Sequence, residues 1–125
     1  MICIDNYRYA LMSDALSKIG FSVERKNLKL VSQLEICKVV PVIDHCFING
    51  FFYWGNNPTL RWATNNTKTI RYGRDAGADK GSFVYAKIEA RSRKTDPFMA
   101  LVASMTAEGE IKEYIPLTGK CVLVM

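Results

Sequence analysis

Two aspartates, Asp5 and Asp96, stand in sequence contexts where carboxylates commonly do chemistry. Asp96 comes at the predicted start of a helix, directly after a segment rich in lysine and arginine at residues 87–94. Asp5 follows the apolar run Ile2-Cys3-Ile4, which predicts a strand, and catalytic groups gather at the carboxyl ends of strands in open α/β sheets. Carboxylates beside basic residues suit a metal-dependent nuclease, in which they hold divalent ions against a phosphodiester.

The sequence around Asp96 also has a simpler interpretation. Proline is favoured at the first position of a helix, so Asp96, which precedes Pro97, is predicted to be the N-cap. Such caps are common, and the local pattern alone favours capping. The helix itself is indicated by apolar residues at helical spacing, with Gly109 as a stop: Phe98, Leu101, Val102 and Met105. Because Asp5 and the basic segment are also present, we prefer the interpretation that Asp96 is a metal ligand.

The elements that position Asp5 are predicted at the start of the chain. A strand at residues 2–4 is followed by a helix that ends at Gly20, and Leu28–Val31 predicts a second strand. A strand, a helix and a strand in this order predict a βαβ unit with parallel pairing. Five apolar residues are predicted to fall on one face of this helix: Leu11, Met12, Ala15, Leu16 and Ile19.

The elements before Asp96 are predicted less regularly. Residues 32–40 predict a helix, and Pro41 either interrupts it or starts another turn through 42–47. A short strand at 51–54, a helical turn at 59–66 and a hairpin of strands 69–72 and 82–88 follow, with the glycine-rich loop 73–81 between the hairpin strands. The tail at 111–125 is irregular and could add one strand at 122–124.

Basic residues are concentrated in one part of the chain. The overall charge is +5, and the segment from Arg61 to Lys94 holds nine Lys or Arg against three acidic residues. This pattern is compatible with a DNA backbone, and equally with a solvated hairpin whose edge carries lysines. The candidate DNA-binding residues are Arg61, Lys68, Arg71, Arg91, Arg93 and Lys94.

Several of these candidates have a structural alternative. Arg61 and Trp62 could clamp a DNA backbone, or form a core tryptophan beside an arginine that extends to solvent. Lys94 could support a phosphate or lie on the surface. His45 is interpreted as a structural residue and is left out of the site.

Composition narrows the class of protein. A content of 49% hydrophobic and 23% charged residues is that of one ordinary globular domain. No apolar stretch is long enough for a bilayer, and the start of the chain lacks the features of a signal peptide, so we expect a cytosolic protein without a membrane partner. The four cysteines lie far apart, which disfavours a zinc site and, in the cytosol, disulfides.

Four blocks of the sequence carry a resemblance to a known family. They are IDNYRYAL at 4–11, WGNNP at 54–58, LRWATNNTK at 60–68, and residues 87–105 with the run RKTDPFMALVASM. In order and spacing these blocks resemble the C-terminal part of the large terminase subunit of tailed bacteriophages. The resemblance covers most of residues 2–110 and fades beyond Glu110.

The resemblance implies a nuclease domain of ribonuclease H-like fold, an α/β architecture with a mixed sheet and flanking helices. In that family, clustered acids hold two divalent ions, Mg²⁺ or Mn²⁺, and the enzyme cuts concatemeric double-stranded DNA during packaging. Asp5 resembles the second acid and Asp96 the third, so both are expected to be catalytic and metal-binding. The implied partners are double-stranded DNA, the small terminase subunit and the portal, in the cytoplasm of a bacterial host.

The resemblance leaves parts of the family pattern without a counterpart. The sequence offers no match for the family's first acid or its first strands, and no phosphate-binding loop of an ATPase. We therefore expect residues 1–110 to form the C-terminal part of the nuclease domain, as a truncated product or one piece of an interrupted gene. The site would then bind one ion or none. The alternative is a non-catalytic DNA- or partner-binding remnant of a prophage terminase gene.

Overall fold

The computed structural model describes residues 1–53, 55–73, 82–91 and 93–110. Within these ranges the chain has the expected mixed α/β architecture, with four α-helices and two small sheets. Short 3-10 turns lie at Asn6–Arg8 and Glu108–Glu110. The other elements are β1 (Ile2–Asp5), α1 (Tyr9–Lys18), β2 (Leu28–Val31), α2 (Gln33–Ile48), α3 (Pro58–Asn65), β3 (Thr67–Arg71), β4 (Phe83–Lys87) and α4 (Asp96–Met105).

The predicted βαβ unit is confirmed. Strands β1 and β2 pair in parallel, from Ile2 opposite Leu28 to Asp5 opposite Val31. Of the apolar residues predicted to share one face of the first helix, Leu16 is the buried residue of α1, while Leu11 and Ile19 are 81% and 67% exposed.

Helix α2 runs through Pro41 without a break, so of the two predicted alternatives the interruption is excluded and the helix continues through residues 42–47. A proline inside a helix removes one backbone hydrogen bond and costs about 3 kcal/mol. Helix α2 tolerates this cost because Ile36, Val40 and Ile43 are all buried, and each buried side chain of this size contributes about 1.5–3 kcal/mol.

The predicted hairpin is confirmed as well, with β3 and β4 pairing antiparallel from Thr67 opposite Lys87 to Arg71 opposite Phe83. The described strands form two separate sheets, rather than the single mixed sheet that the family resemblance implies. Residues 51–53 of the predicted strand at 51–54 have no regular structure. Trp54, most of the hairpin loop (74–81) and the tail with its predicted strand (111–125) lie outside the described residues.

The core is formed where α2 and α4 pack between the two sheets. Phe98 and Val102 of α4 are buried, as the apolar spacing predicts. Helix α4 contacts β1, α2 and α3, so the start of α4 is fixed beside the end of β1. The buried cluster consists of Val31, Ile36, Val40, Ile43, Ala63, Val84, Phe98 and Val102.

Among the residues described, no helix is long and apolar enough to cross a membrane.

Candidate functional site

Asp5 and Asp96, which lie far apart in the sequence, line the same cavity of about 400 Å³. Asp5 reaches it from the carboxyl end of β1, and Asp96 reaches it from the first turn of α4. We call this space the acid cavity. Its walls come from both sheets and from helices α2 and α4: Cys3, Asp5, Val31, Gln33, Ile36, Lys87, Thr95, Asp96, Met99, Ala100 and Ala103.

The Asp5 carboxylate is oriented by the backbone that follows it. Its Oδ1 atom accepts a hydrogen bond of 2.9 Å from the backbone N–H of Tyr7, as the N-cap of the 3-10 turn. Side chains alternate along a strand, so Cys3 and Asp5 lie on the same face of β1 and both line the acid cavity. Burial raises the pKa of the Cys3 thiol, which keeps it protonated and makes it a poor metal ligand at neutral pH.

The predicted N-cap role of Asp96 is wrong. Thr95 is the N-cap, and Asp96 is the first helical residue. Proline therefore occupies the second helical position instead of the first. Within the described part of the chain, no hydrogen bond or ion pair engages the Asp96 carboxylate. An acidic group in the first turn is stabilised by the helix dipole, and this one remains available to a ligand.

Lys87, at the end of β4, is the basic residue that lines the acid cavity. Sequence reasoning considered Lys94 for this role, but Lys94 is exposed and does not line the cavity. The alternation of β4 could have identified Lys87, because Phe83, Tyr85 and Lys87 share one face of the strand. Among described residues, no ion pair joins Lys87 to a carboxylate, so cation and acids line the cavity without neutralising one another.

The structure does not bring the predicted DNA-binding residues to the acid cavity. All six are exposed. The guanidinium of Arg61 donates to Asn56 Oδ1 at 3.0 Å, and Arg93 pairs with Glu89 at 3.2 Å. Lys68 and Arg71 are three residues apart on β3, so they point to opposite faces of the hairpin.

A second hollow, of about 500 Å³, also borders Asp5. It carries two tyrosines, Tyr72, which is one of the aromatic residues interleaved with the basic segment, and Tyr7, which no sequence pattern indicated. Their side chains are 86% and 41% exposed. We call this surface the tyrosine hollow. Exposed aromatic rings beside a carboxylate provide a surface on which a nucleic-acid base can stack.

Asp5 and Asp96 are the carboxylates of the acid cavity that could ligate a metal ion. In proteins Mg²⁺ is usually held by one or two carboxylates together with waters and substrate phosphates, and Asp5 and Asp96 supply two. Two ions need bridging ligands. No group of three or more His, Cys, Asp or Glu residues that could hold a metal occurs in the described ranges.

Lys29 fixes α4 against the sheet that carries Asp5. Its Nζ donates to the Thr106 carbonyl at 2.7 Å, pairs with Glu35 at 3.1 Å, and also pairs with Glu110. Burial would lower the pKa of Lys29, but hydrogen bonds from Nζ to the Glu110 and Glu35 carboxylates outweigh it and raise the pKa. The contact therefore joins β2, the first turn of α2 and the end of α4.

Comparison of the chain with models of known protein families, with curated proteins and with solved structures finds no match. The function proposed below therefore rests on the acid cavity and on the sequence resemblance.

Proposed function

We propose that this chain is a metal-dependent DNA endonuclease module of the terminase large-subunit type, with a partial ribonuclease H-like fold. The observation that supports it is that Asp5 and Asp96 line one cavity. The sequence resemblance singles out the same two residues as the family's second and third acids. A strand end and a helix start, contributed by distant parts of the chain, converge there on an open space with a lysine.

In this proposal Asp5 and Asp96 hold a divalent ion, Mg²⁺ or Mn²⁺. When bound, such an ion polarises the phosphoryl group and activates water. The hydrogen bond from Tyr7 to Oδ1 fixes the Asp5 carboxylate and leaves its other oxygen for the ion. Met99, Ala100 and Ala103 form the apolar wall of the cavity on the α4 side.

The proposed substrate is double-stranded DNA, cut in the cytoplasm of a bacterial host during packaging. In that setting the module works beside the terminase small subunit and the portal. The exposed cations of α3, β3 and the segment before α4 would contact phosphates, each with a salt-dependent contribution to binding.

The test is cleavage of plasmid DNA with Mn²⁺ by the wild-type chain and by Asp5→Asn and Asp96→Asn. Asparagine at position 5 still accepts the hydrogen bond from Tyr7, so the turn after β1 is preserved. We expect both variants to lose at least 100-fold in rate, in the range of about 10²–10³ for removal of a transition-state contact. Asp14→Asn, an exposed acid on α1, makes the same charge change away from the cavity and should leave cleavage unchanged.

Cleavage that persists in both cavity variants would refute the assignment of the site. An equal loss of cleavage rate in all three variants would show that the cause is the change in net charge or in stability, and not the loss of a metal ligand. Circular dichroism of each variant separates loss of folding from loss of chemistry.

We propose non-catalytic nucleic-acid binding as the second candidate, supported by the tyrosine hollow and by the small number of cavity carboxylates. In this case the protein binds duplex or frayed DNA without cutting it. Tyr7→Ala should weaken binding, because stacking of one base contributes about 1–3 kcal/mol. Tyr53→Ala is the matched control, since Tyr53 is 97% exposed and lies beyond the opposite end of α2. Fluorescence anisotropy at several salt concentrations measures the DNA affinity of both variants. Equal affinities of Tyr7→Ala and Tyr53→Ala would exclude the tyrosine hollow as the binding surface.

A further inference from the structure

We infer that the open edge of β3 is a docking surface for an extended, acidic segment of another protein. The segment adds to the hairpin as a third strand and places one aromatic side chain beside Phe47, Tyr85 and Phe98. This inference goes beyond the proposed nuclease function and does not depend on it. It rests on free backbone groups along one edge of β3, on a hollow that begins at that edge, and on the charge of the strand.

The backbone of β3 has hydrogen-bonding groups that β4 does not use. In an antiparallel pair, residues that exchange hydrogen bonds alternate with residues whose N–H and C=O groups point away from the partner strand. Ile88 donates to the Asn66 carbonyl at 2.7 Å, and at the other end of the hairpin Tyr72 donates to the Ser82 carbonyl at 2.9 Å. The even-numbered residues of β3 therefore face β4. The N–H and C=O of Thr69 point to the other edge, where none of the described strands pairs with β3.

A hollow of about 620 Å³ begins at this edge, and we call it the edge hollow. Its lining includes three consecutive residues of β3: Thr67, Lys68 and Thr69. Because side chains alternate between the two faces of a strand, the backbone edge itself forms the rim. The floor is aromatic, with the ring of Phe98 at 5.0 Å from that of Tyr85 and 6.4 Å from that of Phe47. Tyr85 lies opposite Thr69, so a residue that pairs with Thr69 on an added strand directs its side chain to this floor.

The edge hollow also offers an acceptor to an aromatic residue that carries a donor. The Asp44 carboxylate lies on its wall and accepts from the Tyr85 hydroxyl at 3.5 Å. The hydroxyls of Thr64 and Thr67, also on the wall, already donate to backbone carbonyls at 2.8 and 2.9 Å. A tryptophan suits these features, because its ring is large and apolar and its indole N–H is a donor.

The charge of β3 favours an acidic partner over a second copy of the chain. Lys68 is exposed, and no ion pair among the described residues includes it. Two copies of β3 paired antiparallel about Thr69 would bring their Lys68 side chains together on one face, and like charges across a strand pair are destabilising. Lysine on an edge strand discourages such self-pairing. A glutamate next to the tryptophan of an incoming strand lies opposite Lys68 and pairs with it.

A synthetic peptide tests the pairing with the full chain. The probe is a short, fluorescein-labelled peptide of threonine and valine, with a central tryptophan and a glutamate on each side of it. Fluorescence anisotropy should show saturable binding. N-methylation of the tryptophan removes the N–H that pairs with the Thr69 carbonyl and should weaken binding at least about tenfold. N-methylation of a neighbouring glutamate, whose N–H points away from β3, is the matched control and should change the affinity less than about twofold.

Two substitutions in the chain test the contacts from the other side. Lys68→Gln should weaken binding about twofold to fivefold, the range of an exposed ion pair, while Lys38→Gln, at an exposed lysine of α2, should leave it unchanged. Thr69→Pro removes the outward N–H and keeps the bonds to β4, because proline is tolerated on an edge strand where its nitrogen faces solvent. It should weaken binding at least about tenfold. If Thr69→Pro does not fold, the N-methylated peptides decide the question, since they leave the chain unchanged.

Amide hydrogen exchange shows where on the chain the peptide binds. In the free chain the Thr69 amide should exchange faster than those of Lys68 and Ile70, which face β4, and saturating peptide should slow it at least about tenfold. Equal binding of the N-methyltryptophan peptide, or no binding at about 1 mM peptide, would overturn the inference. So would a Thr69 amide that is already slow in the free monomer, or that slows on dimerisation without peptide. Slowing by duplex DNA and not by the peptide would overturn it as well and assign this edge to nucleic acid.

Discussion

Replacing Lys29 with methionine tests whether the contact at the end of α4 holds the acid cavity together. Methionine retains much of the apolar stem of lysine and removes its charge and hydrogen bonds. Lys29 is 11% exposed and reaches three oxygens, on Thr106, Glu35 and Glu110. Its loss therefore removes the polar contacts that join β2 to the end of α4 and to α2, at the end of α4 opposite Asp96.

The change in the free energy of unfolding can be estimated from the hydrogen bond or ion pair that each of the three oxygens loses. The Thr106 carbonyl is left without its donor at 2.7 Å, and an unsatisfied buried acceptor costs about 1–3 kcal/mol. Glu35 keeps bonds from Ser32 N and Oγ, and Glu110 is half exposed, so these two carboxylates add about 0–1 kcal/mol between them. We expect Lys29→Met to lower the free energy of unfolding by about 1–4 kcal/mol.

Chemical denaturation followed by circular dichroism measures this change, with Lys18→Met as the control because Lys18 is exposed on α1. The structure also predicts a functional effect. Mn²⁺ affinity in the Lys29→Met variant should fall even where the protein is folded, because the placement of Asp96 relative to Asp5 depends on α4.

A loss of less than 0.5 kcal/mol, or a loss equal to that of Lys18→Met, would show that Lys29 is a surface cation of no structural importance. A large loss of stability with unchanged Mn²⁺ affinity would show that the cavity does not depend on the far end of α4.

Three further predictions concern the elements around the cavity. Hydrogen bonds from Ser32 and Lys29 outweigh burial and lower the pKa of Glu35 below its ordinary 4.5. The ionised Glu35 carboxylate therefore stabilises the folded protein above pH 4.5, and this contribution to the free energy of unfolding is lost as the pH falls through the folded pKa. The free energy of unfolding of Glu35→Gln should depend less on pH in this range than that of the wild type. Phe98→Ala should cost about 3–5 kcal/mol in urea denaturation, since the ring is 2% exposed and meets Tyr85 edge to face at 5.0 Å; a cost below 1 kcal/mol would contradict its core position. Asn66→Ala should cost about 1–3 kcal/mol and speed amide exchange at Glu89, and unchanged exchange would contradict its role at the end of β4.

Local sequence patterns were sufficient to predict most of the helices and strands near the acid cavity. The strand before Asp5, the parallel partner at residues 28–31 and the hairpin were predicted because their apolar runs are short and bounded by turn residues. The α4 face was predicted because Phe98 and Val102 recur at helical spacing and both are buried. These features depend on neighbours within a few residues, which a sequence records directly.

Features that depend on what packs against an element were not determined by the local pattern. The apolar residues of the first helix share one face, yet Leu11 and Ile19 are exposed. The pattern at Pro41 allowed an interruption or another turn, and the burial of Ile36, Val40 and Ile43 favours the continuous helix that the structure has. Asp96 was assigned one position too early because capping depends on backbone geometry at Thr95, which Asp-Pro alone does not determine.

The sequence by itself determined which acids to consider, because Asp5 ends an apolar run and Asp96 begins a helix. It could not determine whether they meet, since their approach depends on how α4 packs against β1 and on the contact of Lys29 with the end of α4. Only the tertiary structure decided that Asp5 and Asp96 share one cavity, and that Lys87 lines it in place of Lys94. The reason is that strand register and packing decide which lysine side chain reaches the cavity. The sequence shows only that both residues carry the same charge.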